Sequence, residues 1–168
     1  LGGRGIEHDG GRARVREMSA VAGIGEERQR AGPALLQRGD ALDGRMHIND
    51  VGQGTWEEVN VGRRGADYGW PSTEGPTSAV GIDAPLLAYR HTASPTLFEG
   101  VAIVGAAFYR PPTVNFGTSY VGDYFFADYG AGWVYRLDAA GGYAASVFAN
   151  VGGFPTNLAV GADGALYV

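Results

Sequence analysis

An internal repeat is the feature that most constrains how this chain can fold. Residues 44–60, GRMHINDVGQGTWEEVN, align without a gap over residues 122–138, GDYFFADYGAGWVYRLD. Each unit is predicted to form a strand, an Asp-x-Gly turn and a second strand. The start of the unit recurs as GALYV at residues 164–168, which is 42 residues after residue 122. A step of this size matches one four-stranded blade of a β-propeller.

The remaining spacing supports the same architecture. The two full units are 78 residues apart, which implies a blade that carries a long inserted loop. A β-sandwich is the structural alternative, and chance similarity between glycine-rich hairpins is the simplest competing explanation of the repeat.

Short apolar and aromatic runs follow residue 44, separated by clusters of Gly, Asp, Asn and Pro, and no helical period is sustained. This pattern predicts an all-β fold. The predicted strands are Met46–Asn49, Glu57–Asn60, Pro85–Tyr89, Val101–Tyr109, Tyr124–Ala127, Trp133–Leu137, Ala144–Phe148, Asn157–Val160 and Leu166–Val168. Residues 101–148 contain one complete blade, whose strands are expected to pair in chain order with residues 101–109 innermost.

The length of the patterned region limits how much of a propeller it can form. A complete ring of blades needs about 160–320 residues. Only about two and a half blades fit between Gly44 and Val168, and the last predicted strand runs to Val168. We therefore expect a partial propeller that belongs to a longer protein.

Residues 1–43 differ in composition from residues 44–168, and we predict that they form a separate, low-complexity unit without regular structure. Eight of the 13 arginines precede residue 46, whereas the first of the 19 aromatic residues is Trp56. So little apolar surface cannot offset the entropy of ordering the chain. The segment is either a disordered linker or the product of a GC-rich gene read out of frame, since the whole chain also lacks lysine.

Charge and composition exclude several classes of protein. The net charge of −5 argues against binding to nucleic acid or to an anionic membrane surface. The absence of cysteine excludes disulfides, thiolate zinc sites and thiol catalysis. The sequence contains no run of 18 apolar residues, so no membrane span is predicted.

A series of motifs carries a family likeness. INDVGQGTWEEVN, ADYGWPSTEGPT, YRH, AIVGAAFYRP and GDYFFADYGAGWVYRLD occur in this order. The series resembles the glucose/sorbosone dehydrogenase family, quinoproteins related to the soluble aldose sugar dehydrogenases, over residues 44–168. The resemblance implies a six-bladed propeller in the periplasm or outside the cell. It also implies oxidation of a sugar with pyrroloquinoline quinone (PQQ) and calcium, and transfer of the electrons to a separate acceptor.

The resemblance also implies roles for four residues. Gly52 and Gln53 stand where relatives offer backbone carbonyls to the calcium that holds the quinone. Glu58 stands where a carboxylate binds calcium, and Tyr68 where a backbone carbonyl does. Calcium prefers six to eight such oxygen ligands. The alternative is that Glu57 and Glu58 are solvated charges on the two sides of a strand.

The chain departs from the family at the cationic contacts to the quinone. Gly130 replaces a lysine of relatives, and Phe154 and Thr156 replace two arginines. The histidine base of relatives and their Gly-Leu-Arg-Asn-like stretch before the IND strand have no counterpart here. These differences imply either a subfamily that binds the quinone differently or one that no longer binds it.

One histidine and two arginines of the patterned region are further candidates for the site. His91 lies at a blade junction, where propeller pockets form, and is either the catalytic base or a structural hydrogen-bonding residue. Arg90 and Arg110 either contact quinone carboxylates or are surface charges.

The tryptophans and the turn aspartates have their own expected roles. Trp56 and Trp70 could stack on sugar rings, whereas Trp133 is expected to pack between blades. Asp50 and Asp128 occupy matched turns and are expected to accept hydrogen bonds from turn amides.

The sequence therefore predicts that the parent protein oxidises a sugar or polyol, a reaction that this chain by itself would not complete. The alternative is a propeller of the same fold that binds carbohydrate or protein without redox activity, because function depends on sites placed on a fold rather than on the fold itself.

Overall fold

The computed structural model describes residues 4–9, 12–17, 35–40, 44–92 and 99–168. These residues form 13 β-strands in three sheets, together with one short 3₁₀ turn at Thr118–Tyr120 and no α-helix. The all-β class predicted from the sequence is confirmed. The strands are β1 Arg4–Asp9, β2 Arg12–Glu17, β3 Leu35–Gly39, β4 Met46–Asp50, β5 Trp56–Val61, β6 Leu87–His91, β7 Glu99–Gly100, β8 Ile103–Phe108, β9 Tyr124–Asp128, β10 Trp133–Asp138, β11 Ala144–Asn150, β12 Ala159–Val160 and β13 Leu166–Tyr167.

The first sheet has the order β3-β4-β5-β6-β7. Its first four strands pair antiparallel, and the short β7 joins β6 in parallel. Residues 62–86 form the long connection between β5 and β6, as the 78-residue step of the repeat predicted. This connection lies against the β4–β5 hairpin and forms part of the candidate site.

The second sheet has the order β11-β10-β9-β8, and every neighbouring pair is antiparallel. The strands therefore pair in chain order, which confirms the blade traced from the sequence. The register shifts between Val104 and Ala106, and Gly105 at this irregularity has a φ of 34°. A bulge of this kind bends the strand and strengthens its twist.

The third sheet, β12-β13-β1-β2, corrects the expectation that residues 1–43 lack regular structure. Strand β1 pairs with β13 and with β2, and β3 extends the first sheet through β4. The exposed edge of a sheet presents backbone N–H and C=O groups that accept another strand whatever its side chains are. The other residues of the 1–43 segment lie outside the described residues, and the reading-frame hypothesis stays a prediction.

The core lies on both faces of the second sheet, because alternate residues of β9 point to opposite sides. Phe125 and Ala127 join one apolar cluster together with Leu158 and Leu166 of the third sheet and its approach. Tyr124 and Phe126 join the other, which includes Val59 and Tyr89 of the first sheet. Trp133 belongs to this second cluster at 5% exposure, so its predicted place between sheets is confirmed.

The two repeat units have the same order of elements, but their strands pair in different registers. Strands β4 and β9 start at matched positions, but Asp50 lies opposite Glu58 while Ala127 lies opposite Val134. The turn after β4 is therefore wider than the turn after β9. The wider turn is the one that carries the predicted cofactor residues.

Candidate functional site

Glu57 and Glu58 are adjacent in β5, so their side chains leave opposite faces of the first sheet. Glu57 is 0% exposed and Glu58 is 6% exposed. The alternative that these two residues are solvated strand charges is therefore wrong. A buried carboxylate needs hydrogen bonds or positive charge, and the two residues satisfy this need differently.

The Glu58 carboxylate receives hydrogen bonds on both oxygens. Asn60 Nδ2 donates to Oε2 at 3.1 Å, and the backbone amide of Gly75 donates to Oε1. Gly75 has a φ of 79°, and a Cβ at this position would overlap the Trp56 indole. Only glycine allows the backbone of the 62–86 connection to reach Glu58 at this point.

Asp50 faces Glu58 across the β4–β5 pair. Among the described residues its carboxylate accepts no hydrogen bond, so the expectation that it bonds turn amides is wrong. Burial, and then the negative charges of Glu58 and Glu74, raise the pKa of Asp50 to about 6. Like charges directly opposite one another in a sheet are destabilising, and positive charge between them would relieve the repulsion.

The turn at Gly52 and Gln53 is fixed by close packing and by one carboxylate. A Cβ at Gly52 would overlap the carbonyl oxygen of Trp56, which explains the glycine. The backbone amide of Gln53 donates to Glu74 Oε1 at 2.6 Å, and the amide of Thr55 donates to Oε2 at 3.1 Å. Glu74 thus ties the turn to the 62–86 connection.

Tyr68 uses its side chain to hold the 62–86 connection in place. Its hydroxyl donates to the Val61 carbonyl oxygen at 2.8 Å and accepts from the Arg63 amide at 3.0 Å. The resemblance assigned the backbone carbonyl of Tyr68 to calcium, and that role stays a prediction.

A small cavity brings most of these predicted residues together. Its free volume is about 20 Å³, which is enough for one water-sized group. The residues around it are Asp50, Val51, Gly52, Trp56, Glu58, Tyr68, Trp70, Thr73 and Glu74. Across residues 44–92 and 99–168, no three acidic or histidine side chains converge closely enough to form a metal cluster, so a cation here would need backbone oxygens as well.

His91 and Glu57 form a pair on the other face of the same sheet. His91 Nδ1 lies 2.6 Å from Glu57 Oε1, and the Ile103 amide donates to Glu57 Oε2 at 2.9 Å. Burial raises the pKa of Glu57, and the charge of Asp128 adds to this, while the bonds from Ile103 and His91 oppose it. Neither His91 nor Glu57 lines the cavity, so the structure separates His91 from the predicted cation residues.

The positions where relatives carry cationic contacts are uncharged here. Gly130 lies against Val101, and Phe154 is 67% exposed with its ring 5.0 Å from that of Tyr129. Thr156 is exposed.

The two arginines considered as quinone contacts are engaged elsewhere. Arg90 stacks over Trp56 at 4.3 Å, and Arg110 makes a two-pronged ion pair with Asp40, at 3.1 Å and 2.8 Å to one carboxylate oxygen. Both guanidinium groups therefore already have partners within the chain.

Glu74 is the site residue that sequence analysis missed. Partial burial would raise its pKa, but hydrogen bonds from the Thr55 hydroxyl and the amides of Gln53, Thr55 and Trp56 lower it overall. The sequence signal was an acid directly before Gly75 in WPSTEGPT, within the motif ADYGWPSTEGPT. Nothing in that spacing showed that the acid folds back onto the β4–β5 turn.

Known proteins are similar to part of this chain in sequence. No protein-family model matches the chain. The HIPL1 protein of Arabidopsis thaliana is 34% identical over 98 residues, which cover 49% of this chain and 14% of the relative. The HIPL2 protein of the same plant is 32% identical over 94 residues, covering 47% of the chain and 13% of the relative. The chain thus spans about a seventh of the length of these relatives.

Solved structures match a larger share of the chain. The PQQ-bound aldose sugar dehydrogenase of Streptomyces coelicolor matches with a TM-score of 0.53 and 23% identity, over 73% of this chain and 32% of that one. The apo soluble aldose sugar dehydrogenase of Escherichia coli gives 0.59 and 17% over 77% and 39%. A glucose dehydrogenase gives 0.61 and 18% over the same shares.

These similarities show the fold. The chain has a soluble glucose dehydrogenase-like fold and forms part of a β-propeller, as the motif series indicated. Among the described residues, no helix combines the length and the apolar character needed to cross a membrane.

Proposed function

We propose that the protein to which this chain belongs oxidises a hydroxyl of a sugar or polyol, with PQQ as hydride acceptor and calcium as its partner ion. The solved structures of similar fold are sugar dehydrogenases, and one of them is PQQ-bound. This chain spans only about a third to two fifths of their length, so the proposal concerns the whole protein.

The observation that carries the proposal is the uncompensated negative charge beside the Gly52–Gln53 turn. Asp50 and Glu58 face each other, and burial, together with the negative charges of Glu58 and Glu74, raises the pKa of Asp50. A cation would relieve this repulsion. The carboxylates, together with backbone oxygens of the turn and of Tyr68, are the hard oxygen donors that calcium prefers.

The residues present therefore fit calcium. Asp50 and Glu58 would hold it through carboxylate oxygens, and Gly52, Gln53 and Tyr68 through backbone carbonyls. The anionic half of PQQ is different, because the described residues at Gly130 and Phe154 offer it apolar surface rather than positive charge. Charged contacts to the quinone would have to come from elsewhere in the protein.

When bound, calcium would supply a Lewis acid that polarises and orients a carbonyl group beside the Gly52–Gln53 turn. His91, the base suggested by the sequence, lies on the other face of the first sheet from the cation residues, so the base for a substrate held at the calcium would come from elsewhere in the protein. Buried Glu57 holds Nδ1 of the imidazole at 2.6 Å, which directs the other ring nitrogen, Nε2, away from the carboxylate. With its side chain 27% exposed, His91 would serve as a base only for a hydroxyl that reaches its own face of the sheet.

The substrate class, the separate electron acceptor and a periplasmic or extracellular location belong to the same proposal. They rest on the family resemblance and on the sugar dehydrogenases of similar fold.

A second candidate function is a propeller that binds carbohydrate or protein without redox chemistry. The exposed Tyr129–Phe154 pair favours it, because Phe154 stands where relatives carry a cationic contact and forms an aromatic surface with Tyr129 instead. Such a protein would keep the fold and lose the cofactor.

One assay separates the two functions. The full-length protein is incubated with PQQ and calcium, and the reduction of a redox dye is followed after a sugar is added. The dehydrogenase proposal expects dye reduction that requires sugar, quinone and calcium together. Absence of turnover, combined with no rise in melting temperature on addition of calcium, would contradict it and support the binding propeller.

A further inference from the structure

A second concave feature lies beside the small cavity. It is an open groove of about 400 Å³ between the β4–β5 turn and the segment at residues 70–74. Its lining residues are Gln53, Gly54, Thr55, Trp70, Pro71, Ser72, Thr73 and Glu74. This volume lies within the usual range for small-molecule sites.

The two walls of the groove are joined by Glu74. Its carboxylate accepts from the amides of Gln53 and Thr55 on the opposite wall, and from the Thr55 hydroxyl. These bonds join the two walls through one carboxylate. The groove is thus a formed feature of the fold that needs no ligand to shape it.

Trp70 provides the apolar part of the groove. It is 46% exposed, whereas Trp56 nearby is covered by Arg90 and by the backbone at Gly75, and Trp133 is buried. A half-exposed indole offers a flat apolar face with one polar edge. Hydroxyl, amide and carboxylate groups stand within the same groove, at Gln53, Ser72 and Thr73 among others.

This combination matches one class of ligand. A sugar ring has an apolar C–H face that stacks on an indole and a rim of hydroxyls that donate to carboxylate and carbonyl oxygens. Phosphorylated or otherwise anionic ligands are disfavoured by Glu74 and by the net charge of −5. Purely apolar ligands would leave the ionised carboxylate without solvent.

We propose that the groove between residues 53–55 and residues 70–74 is a binding subsite for a neutral carbohydrate, with Trp70 as the stacking platform. The choice of a sugar rests on the proposed function, which it deepens by adding a contact for the substrate outside the cation cavity. Binding itself requires neither quinone nor calcium.

The test measures binding of maltose by isothermal titration calorimetry, with full-length protein in EDTA and no quinone. Wild-type protein binds maltose, and Trp70→Ala weakens the affinity by about tenfold or more, equivalent to roughly 1.4 kcal/mol. Trp70→Phe retains part of the affinity because a flat ring remains. The matched control is Val147→Ala, which removes an exposed apolar side chain of β11 and leaves binding unchanged. Phe154→Ala removes a ring of the Tyr129–Phe154 pair, in the connection between β11 and β12, and tests whether maltose binds there instead. Circular dichroism confirms that each variant is folded.

The outcomes separate this proposal from the dehydrogenase proposal. Trp70-dependent maltose binding without quinone-dependent turnover supports the groove and contradicts the dehydrogenase. If the enzyme turns over and Trp70→Ala leaves the affinity for maltose unchanged, the groove proposal is overturned and the dehydrogenase proposal is kept. The groove also fails if wild type binds no maltose, if Phe154→Ala is the variant that weakens binding, or if glucose 6-phosphate binds more tightly than glucose.

Discussion

The turns after β4 and β9 occupy matched positions of one repeat, yet their aspartates differ in burial and in hydrogen bonding. Asp128 is fully buried and accepts from the amides of Val101, Ala102, Gly130 and Ala131 and from the Tyr89 hydroxyl. Asp50 is only partly buried and faces Glu58 across the sheet.

The difference shows how a repeated unit acquires a site. The narrow turn after β9 wraps its aspartate in backbone donors, so the carboxylate stabilises the fold. The wider turn after β4 leaves its aspartate among other acids, and the charge is left for a ligand to balance. Substitutions in the two turns test this difference.

The largest effect is expected at Asp128. Replacing it with alanine leaves four backbone amides and the Tyr89 hydroxyl without their acceptor, in the interior. We expect a loss of roughly 3–5 kcal/mol in the free energy of unfolding, measured by urea denaturation. Asp50→Ala is the matched control and should not destabilise. Equal losses in both variants would remove the contrast between the turns.

The matched glycines of the two turns should differ in the same direction. A Cβ at Gly52 would overlap the rigid carbonyl of Trp56, whereas at Gly130 it would meet the side chain of Val101. We expect Gly52→Ala to cost about 2–3 kcal/mol and Gly130→Ala about 1 kcal/mol, because a side chain adjusts more easily than backbone. Thermal or urea unfolding measures both, and Gly54→Ala, with open space around it, is the control. A reversed order would contradict the packing described for the turn after β4.

Asp50→Asn should reveal the uncompensated charge through pH. The pKa of Asp50 is raised from 3.8 to about 6, so the folded protein binds this proton more tightly than the unfolded chain. Stability from this group is full below pH 4, falls as pH rises through 6, and stays lower above it. In EDTA at pH 8, Asp50→Asn should exceed wild type by about 1 kcal/mol once solvent screening is allowed for, with no difference near pH 4.

The control for that experiment is Asp138→Asn. The Asp138 carboxylate accepts from the amides of Ala140 and Gly141 in the turn after β10, away from the acidic cavity. Its substitution should give no gain in stability at pH 8. A gain shared by both variants would point to the net charge of the protein rather than to crowding around Asp50.

The sequence was a good guide where local pattern decides structure. Strand order, the blade at residues 103–150 and the turn role of Asp128 follow from alternation, turn residues and the repeat. The site was predicted less completely, because Glu74 reaches Gln53 across 21 residues and His91 reaches Glu57 across 34. Such contacts depend on how the 62–86 connection folds back and carry no local signal.

The N-terminal strands show a second limit of sequence reasoning. Composition measures whether side chains can build a core, and residues 1–43 fail that measure. Backbone pairing between strands does not depend on composition: β1 pairs with β13 and β2, and β3 pairs with β4 at the edge of the first sheet. Apolar content alone therefore underestimated the strands of this segment.

The most direct test of the account is the effect of calcium on the melting temperature of wild type and of Asp50→Asn at pH 7.5. We predict that calcium raises the melting temperature of wild type, as a ligand of the folded state must. Most of that rise should be lost in Asp50→Asn and kept in Asp138→Asn. An equal rise in wild type and Asp50→Asn, or no rise in wild type, would contradict a cation site at the turn after β4.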